Sequence, residues 1–87
     1  MKRKVKMTNA QVVSIGMFSK QRVSVDKAIE MIADGYILNL EGDVNDPERN
    51  FNGGIKTSTI LKITEDGGVY NVETRNTIYV IASDQLF

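Results

Sequence analysis

Cysteine and histidine are both absent from this 87-residue chain. Without cysteine there are no disulfides, so the stapling common in small secreted domains is excluded. Without histidine the chain lacks the commonest general base, the commonest neutral metal ligand and the usual switch near neutral pH. No transition-metal site is expected from the residues that remain. Proline occurs once, and there is no low-complexity run. Net charge is missing too, since 11 Lys and Arg balance 11 Asp and Glu. A general nucleic-acid binder carries a positive excess, because phosphate neutralisation supplies most of its affinity, so nucleic acid is not the expected partner. No apolar run approaches the roughly 18 residues of a membrane span. Met1-Lys2-Arg3-Lys4 looks like the start of a signal peptide, but none is expected, because Thr8, Asn9, Gln11 and Ser14 interrupt the apolar stretch that such a peptide needs next. A cytoplasmic location is the default expectation.

The hydrophobic share of 41% and charged share of 25% fit an ordinary folded domain. The length fits one domain, not two. A chain this short hides only about 60–65% of its unfolded surface, so its core is modest and a homo-oligomer is expected. The domain is placed at residues 10–82. Residues 1–9, with Lys2, Arg3, Lys4 and Lys6, are expected to form a flexible basic N-terminal tail, and residues 83–87 a C-terminal one.

The fold class expected is α+β: an antiparallel sheet of about five strands with one amphipathic helix (24–34) and a C-terminal three-stranded meander. Residues 11–15 are rich in β-branched side chains and end at Gly16, which gives a first strand. Met17-Phe18 is expected to pack back onto the core. Ser24 is a good helix cap, and Val25, Ala28, Ile29, Ile32 and Ala33 follow at helical spacing. Gly35 supplies the left-handed stop. Residues 36–40 come out of it as a second strand. Residues 43–54 collect turn signals in Asn45, Asp46-Pro47, Asn52 and Gly53-Gly54, so the spacing predicts the longest loop there. The meander then runs through 55–63, 69–74 and 77–81, turning at Asp66-Gly67-Gly68 and at Arg75-Asn76.

No catalytic constellation emerges. Gly53-Gly54-Ile55-Lys56-Thr57-Ser58 misses the phosphate-loop spacing, because Ile55 separates glycine from lysine and a strand comes next. Glu41, Asp43, Asn45, Asp46 and Glu48 miss the calcium-loop spacing, so no metal site is expected. The acids are scattered, and serine has no base to activate it. The protein is therefore expected not to be an enzyme and to need no cofactor; Lys56 and Tyr79 are the remaining candidates for proton chemistry. The hydroxyls Thr57 and Thr59, and the turn Thr74-Arg75-Asn76-Thr77, read equally as ordinary strand and turn chemistry or as an anion patch. In the second reading Arg75 grips phosphate, Asn76 and Thr77 add directional hydrogen bonds, and Phe51 or Tyr79 stacks a base. Arg22, just ahead of the helix, joins if the helix N-terminus faces the same place.

A short strand, a helix in R-V-S-V-D-K-A-I-E-M-I-A-D-G, and the C-terminal I-K-T-S-T-I-L-K-I and V-E-T-R-N-T-I-Y-V-I together resemble small phage proteins. Among these the chain looks most like the Thoeris anti-defence sponges of the first-described family, over residues 10–82. The resemblance implies a self-assembling, non-enzymatic α+β protein in the host cytoplasm. It implies capture of a small signalling nucleotide, a cyclic ADP-ribose isomer or a cyclic oligonucleotide, to block host antiviral immunity. It places Arg75, with Asn76 and Thr77, on a phosphate, Arg22 on a second, and Phe51 against the base. The chain is short for that family and has no arginine after Ile81, which implies a pocket completed by another subunit or a different ligand. Two other readings stay open: a protein-interaction module, inhibitor or structural subunit using a sheet face, and a weak nucleic-acid binder using the basic N-terminus.

Overall fold

Arg3-Lys4-Val5-Lys6-Met7 alternates with a period of two: Val5 and Met7 are buried, and Lys4 and Lys6 are exposed. That alternation belongs to a half-buried strand. In the computed structural model, which describes residues 2–16 and 19–87, it opens the longest strand, β1 (Arg3–Ile15). The segment expected as a flexible tail is thus structural from Arg3 onward. Six further strands occur among the described residues: β2 (Lys20–Val23), β3 (Asn39–Asp46), β4 (Phe51–Lys56), β5 (Lys62–Asp66), β6 (Val69–Glu73) and β7 (Thr77–Ala82). One helix, α1 (Val25–Ala33), separates β2 from β3. The expectation for Met17-Phe18 lies outside the described residues.

The strands lie in the order β4-β3-β1-β7-β6-β5, with β2 also paired to β1. β1 and β7 run parallel, and every other pair is antiparallel. This seven-strand mixed sheet replaces the expected five-strand antiparallel sheet with its C-terminal meander. Three physical reasons account for the difference. The basic N-terminal segment pairs with β7, Arg3 to Thr77 through Lys6 to Val80. The supposed loop 43–54 is mostly a hairpin, in which Asp46 pairs with Phe51 across the short turn Pro47–Arg49 and the left-handed Asn50. And 55–63 is not one strand. Ile55 and Lys56 finish β4, and residues 57–61 cross over to β5, bonded on the way to Leu40, Leu38 and Glu73 carbonyls.

The helix is capped as its sequence dictates. The Ser24 hydroxyl accepts from the Lys27 N–H at 3.4 Å. At the other end Gly35, at φ +90°, and Tyr36 donate to the Ile32 and Met31 carbonyls. This pair of bonds closes the helix in a Schellman turn. It also takes Tyr36 out of the strand expected at 36–40, so β3 begins at Asn39 and Tyr36 and Ile37 are exposed. The buried stripe is turned toward Met31. Ala28 is fully buried, Val25, Met31 and Ile32 pack on the core, and Ile29 and Ala33 face outward.

β1 is bent in its middle. Thr8 pairs with Asp43 and Gln11 with Glu41, so Asn9 and Ala10 together face Gly42. Asn9 takes the left-handed conformation at φ +49° that this bulge needs, one of the few non-glycine residues suited to it. The chain's last residues dock here. Leu86 bridges to Ala10, the Phe87 N–H donates to the Ala10 carbonyl at 2.9 Å, and the Asn9 N–H donates to Gln85 Oε1 at 3.1 Å. Leu86 is buried, so 83–87 is part of the fold and not a loose tail. One edge of β1 therefore meets β7, then Leu86, then β2, while β3 runs along the other. The core gathers on the face lined by Met7, Val12, Leu40, Val72 and Ile81, with Ala28 of the helix packed against it.

Candidate functional site

The strand face that carries the core continues past it. On β1 the same alternation that buries Met7 brings Val5 and Arg3 to that face. Register does the rest: Arg3 lies beside Thr77 and Val5 beside Tyr79 on β7, and Asp46 faces Phe51 across the β3–β4 hairpin. Together with Val44, Ile55 and Arg49 these side chains enclose an open hollow of about 350 Å³. That volume is near the lower end of the roughly 300–1,000 Å³ of small-molecule sites. Gly53 lies between Phe51 and Ile55 on the same side of β4. A methyl group there would stand 3.6 Å from the Phe51 ring, in ordinary contact with it.

The hollow is apolar in its walls and charged at one end. The Arg3 guanidinium donates to Asp46 Oδ1 at 2.8 Å and to Glu48 Oε2 at 3.0 Å. The two carboxylates raise Arg3 further above its ordinary range, the Asp46 bond having the largest effect. Arg3 in turn holds the Asp46 carboxyl below its usual range, chiefly through that bond. Asp46 is 8% exposed, unusual for an acid unless it is paired. Arg49 approaches the other Asp46 oxygen at 4.0 Å, but its side chain is 67% exposed and keeps donors available. Phe51, 42% exposed, and the half-buried Tyr79 both line the hollow.

The residues expected from the sequence are dispersed. Phe51, Thr77 and Tyr79 line the hollow. Arg75 and Asn76 are exposed in the turn after β6 and do not line it. Arg22 pairs with Val13 near the far end of β1, in a separate open depression of about 340 Å³ with Ser24 and Lys27. From Arg3 to Val13 is ten residues, on the order of 30 Å of strand, so Arg22 and the hollow do not share one small ligand. Thr57 is structural: its buried hydroxyl accepts from the Leu40 N–H at 3.1 Å and donates to the Ser58 carbonyl at 2.7 Å. Thr59 is exposed on the crossover.

Sequence reasoning missed Arg3, Asp46 and Arg49. Arg3 was hidden in the supposed tail, although its alternation with Val5 and Met7 carried the signal. Asp46 and Arg49 were hidden in the supposed loop, although Val44 and Asp46 on one side and Phe51 and Ile55 on the other repeat the same period of two. Among the described residues no cluster of three potential metal ligands exists, and no helix is long and apolar enough to cross a membrane. No protein-family model, curated protein or solved structure matches the chain.

Proposed function

We propose that the protein is a non-catalytic binding protein that captures a small nucleotide in the hollow between β3, β4 and β7. The base lies between Phe51 and Tyr79, and the phosphate meets Arg49, with Arg3 behind it. The single observation that carries the reading is an apolar, two-ring hollow of about 350 Å³ with guanidinium groups at one end. Base–aromatic stacking contributes roughly 1–3 kcal/mol per base, and a guanidinium fork fits phosphate oxygens. Capture without turnover suits the chemistry present. Arg3 and Asp46 at the hollow are bound to each other, and no histidine or cysteine exists to act beside them. The volume favours one base with one ribose, so a larger cyclic nucleotide would extend out of the opening. Following the resemblance to phage anti-defence sponges, capture removes a signalling nucleotide from the host cytoplasm and blunts antiviral immunity, with the protein working as a homo-oligomer.

The test is calorimetry with a panel of mononucleotides, ADP-ribose isomers and cyclic dinucleotides, backed by mass spectrometry of the denatured protein for a co-purified ligand. Micromolar or tighter binding is expected, weakened about tenfold or more by Phe51→Ala through loss of stacking. Arg49→Ala should weaken binding of phosphorylated ligands and leave nucleosides unaffected. Arg75→Ala should leave binding unchanged. The absence of heat with every nucleotide, together with no co-purified ligand, overturns the reading.

A further inference from the structure

The hydrogen-bond phase of the hairpins fixes which backbone groups of β5 are free. At the β6–β7 turn the Thr74 N–H donates to the Thr77 carbonyl, and at the other end the Ser83 N–H donates to the Gly68 carbonyl. Alternate residues of an antiparallel strand point their backbone groups to opposite sides. Tyr70 and Val72 therefore bond toward β7, and Val69, Asn71 and Glu73 bond toward β5. Their register partners there are Asp66, Thr64 and Lys62. Ile63 and Glu65 are left with N–H and C=O groups aimed away from the sheet, on its outermost strand. β5 contains no proline, one of the usual devices that blunt an edge.

We propose that a second copy of this chain covers this edge, with β5 pairing antiparallel to β5 of the partner about a two-fold axis through Thr64. This names the contact for the self-association in the reading above and owes nothing to its ligand. A two-fold axis normal to the sheet brings the free groups of Ile63 opposite those of the partner's Glu65, and the reverse, for four backbone hydrogen bonds. The same register sets Lys62 opposite the partner's Asp66 at both ends, in the non-hydrogen-bonded pairs where side chains come closest. Lys62 and Asp66 are exposed and neither joins another ion pair among the described residues. Shifting the axis to Glu65 sets that carboxylate against its own copy. Shifting it to Ile63 leaves Lys62 against Thr64. Neither of the other outer strands is self-complementary: β2 carries Lys20 and Arg22 without an acid, and β4 carries Lys56 without one. The exposed Leu61 falls opposite the partner's Gly67, a turn residue with open space around it.

Sedimentation equilibrium of the unliganded full chain tests the contact, with melting curves confirming that each variant folds. A dimer is expected. Lys62→Asp and Asp66→Lys should each raise its dissociation constant by about tenfold or more, since each creates two like-charge pairs. The double variant K62D/D66K should restore the parent value. A chain that is monomeric at every concentration, or a dimer indifferent to the single reversals, or a double variant no tighter than the singles, overturns the proposal. The nucleotide reading is untouched by any of these outcomes, because its test is on Phe51 and Arg49.

Discussion

Gly42→Ala is the substitution whose consequence the fold defines most closely. Gly42 faces the two bulge residues Asn9 and Ala10 across β3 and β1. A Cβ built there lies 2.6 Å from Met7 Sδ, 2.7 Å from Met7 Cγ and 3.0 Å from the Thr8 carbonyl oxygen. Carbon atoms in contact rest at about 3.5–4.0 Å, so the overlap is on the order of 1 Å. Thr8 is held by its pairing to Asp43, and Met7 is fully buried with core on its other sides. Overpacking of this kind costs about 1–3 kcal/mol. Against it stands the smaller entropy of the unfolded alanine chain, which stabilises by about 0.4–1 kcal/mol. Sterics win, leaving a net loss of about 1–2 kcal/mol. At about 4–8 °C per kcal/mol for a domain of this size, the midpoint falls by about 4–16 °C. Urea and thermal melts followed by circular dichroism measure it. Met7→Ala alone should cost about 2–5 kcal/mol by leaving a cavity. In the double variant the new methyl occupies part of that cavity, so the two losses should sum to more than the double variant shows. A Gly42→Ala protein as stable as the parent, or strict additivity, would refute the close approach of β1 to β3 at the bulge.

Three other outcomes rest on single contacts. Thr57→Val should lose about 1–3 kcal/mol in the same melts, because the Leu40 N–H is left buried without its acceptor, while Thr57→Ser should recover most of the loss. Tyr70 is pushed above its ordinary value of 10.0 by burial first and then by the Glu65 and Asp26 charges, so its contribution is full below pH 10 and is lost as pH rises toward the folded value. Alkaline melts of Tyr70→Phe should lack that decline. Asp46 is held below its ordinary value of 3.8 by the hydrogen bond from Arg3, so its contribution is present above that value and is lost as pH falls through the lower folded one. Asp46→Asn should lower stability at neutral pH and flatten the loss below pH 4 relative to the parent.

The helix and the two tight turns were legible because each is fixed by neighbours in sequence. Ser24 and Gly35 bracket nine helical residues, and Gly67 and Gly68, at φ +58° and +81°, form a two-residue turn of the kind that glycine permits. The pairing of β1 with β7 was not legible, since parallel strands 70 residues apart carry no local signal of each other. The bulge was hidden for a related reason: Asn9 reads as an ordinary polar residue until Gly42 and Met7 are seen opposite it. Asp46, Asn50 and Gly53 misled because the same residue types serve a long loop and a short hairpin. Phe51, Thr77 and Tyr79 among the expected residues reach the hollow, because they sit on β4 and β7, whose faces meet there.

The hollow arises from a mismatch of lengths. Nine residues of helix at 1.5 Å each give α1 about 14 Å, whereas the thirteen residues of β1, bent at the bulge, have a contour of about 40 Å. So short a helix packs on the core through Val25, Ala28, Met31 and Ile32 and approaches β5, and none of its residues lines the hollow. Val5, Met7, Ala10 and Val12 of β1 all belong to the core, and Val5 and Arg3 also line the hollow. The uncovered end cannot be lined by aliphatics alone without presenting a wet apolar patch, and the chain meets this with a carboxylate–guanidinium pair at Asp46 and Arg3 and aromatic rings at its sides. An ion pair thus stands at that end of the sheet face and a packed core at the other, cohesion in the core and, in the proposed reading, recognition at the hollow. Substitutions at Phe51 or Arg49 should accordingly change ligand affinity with little effect on stability, and those at Met7 or Gly42 should do the reverse.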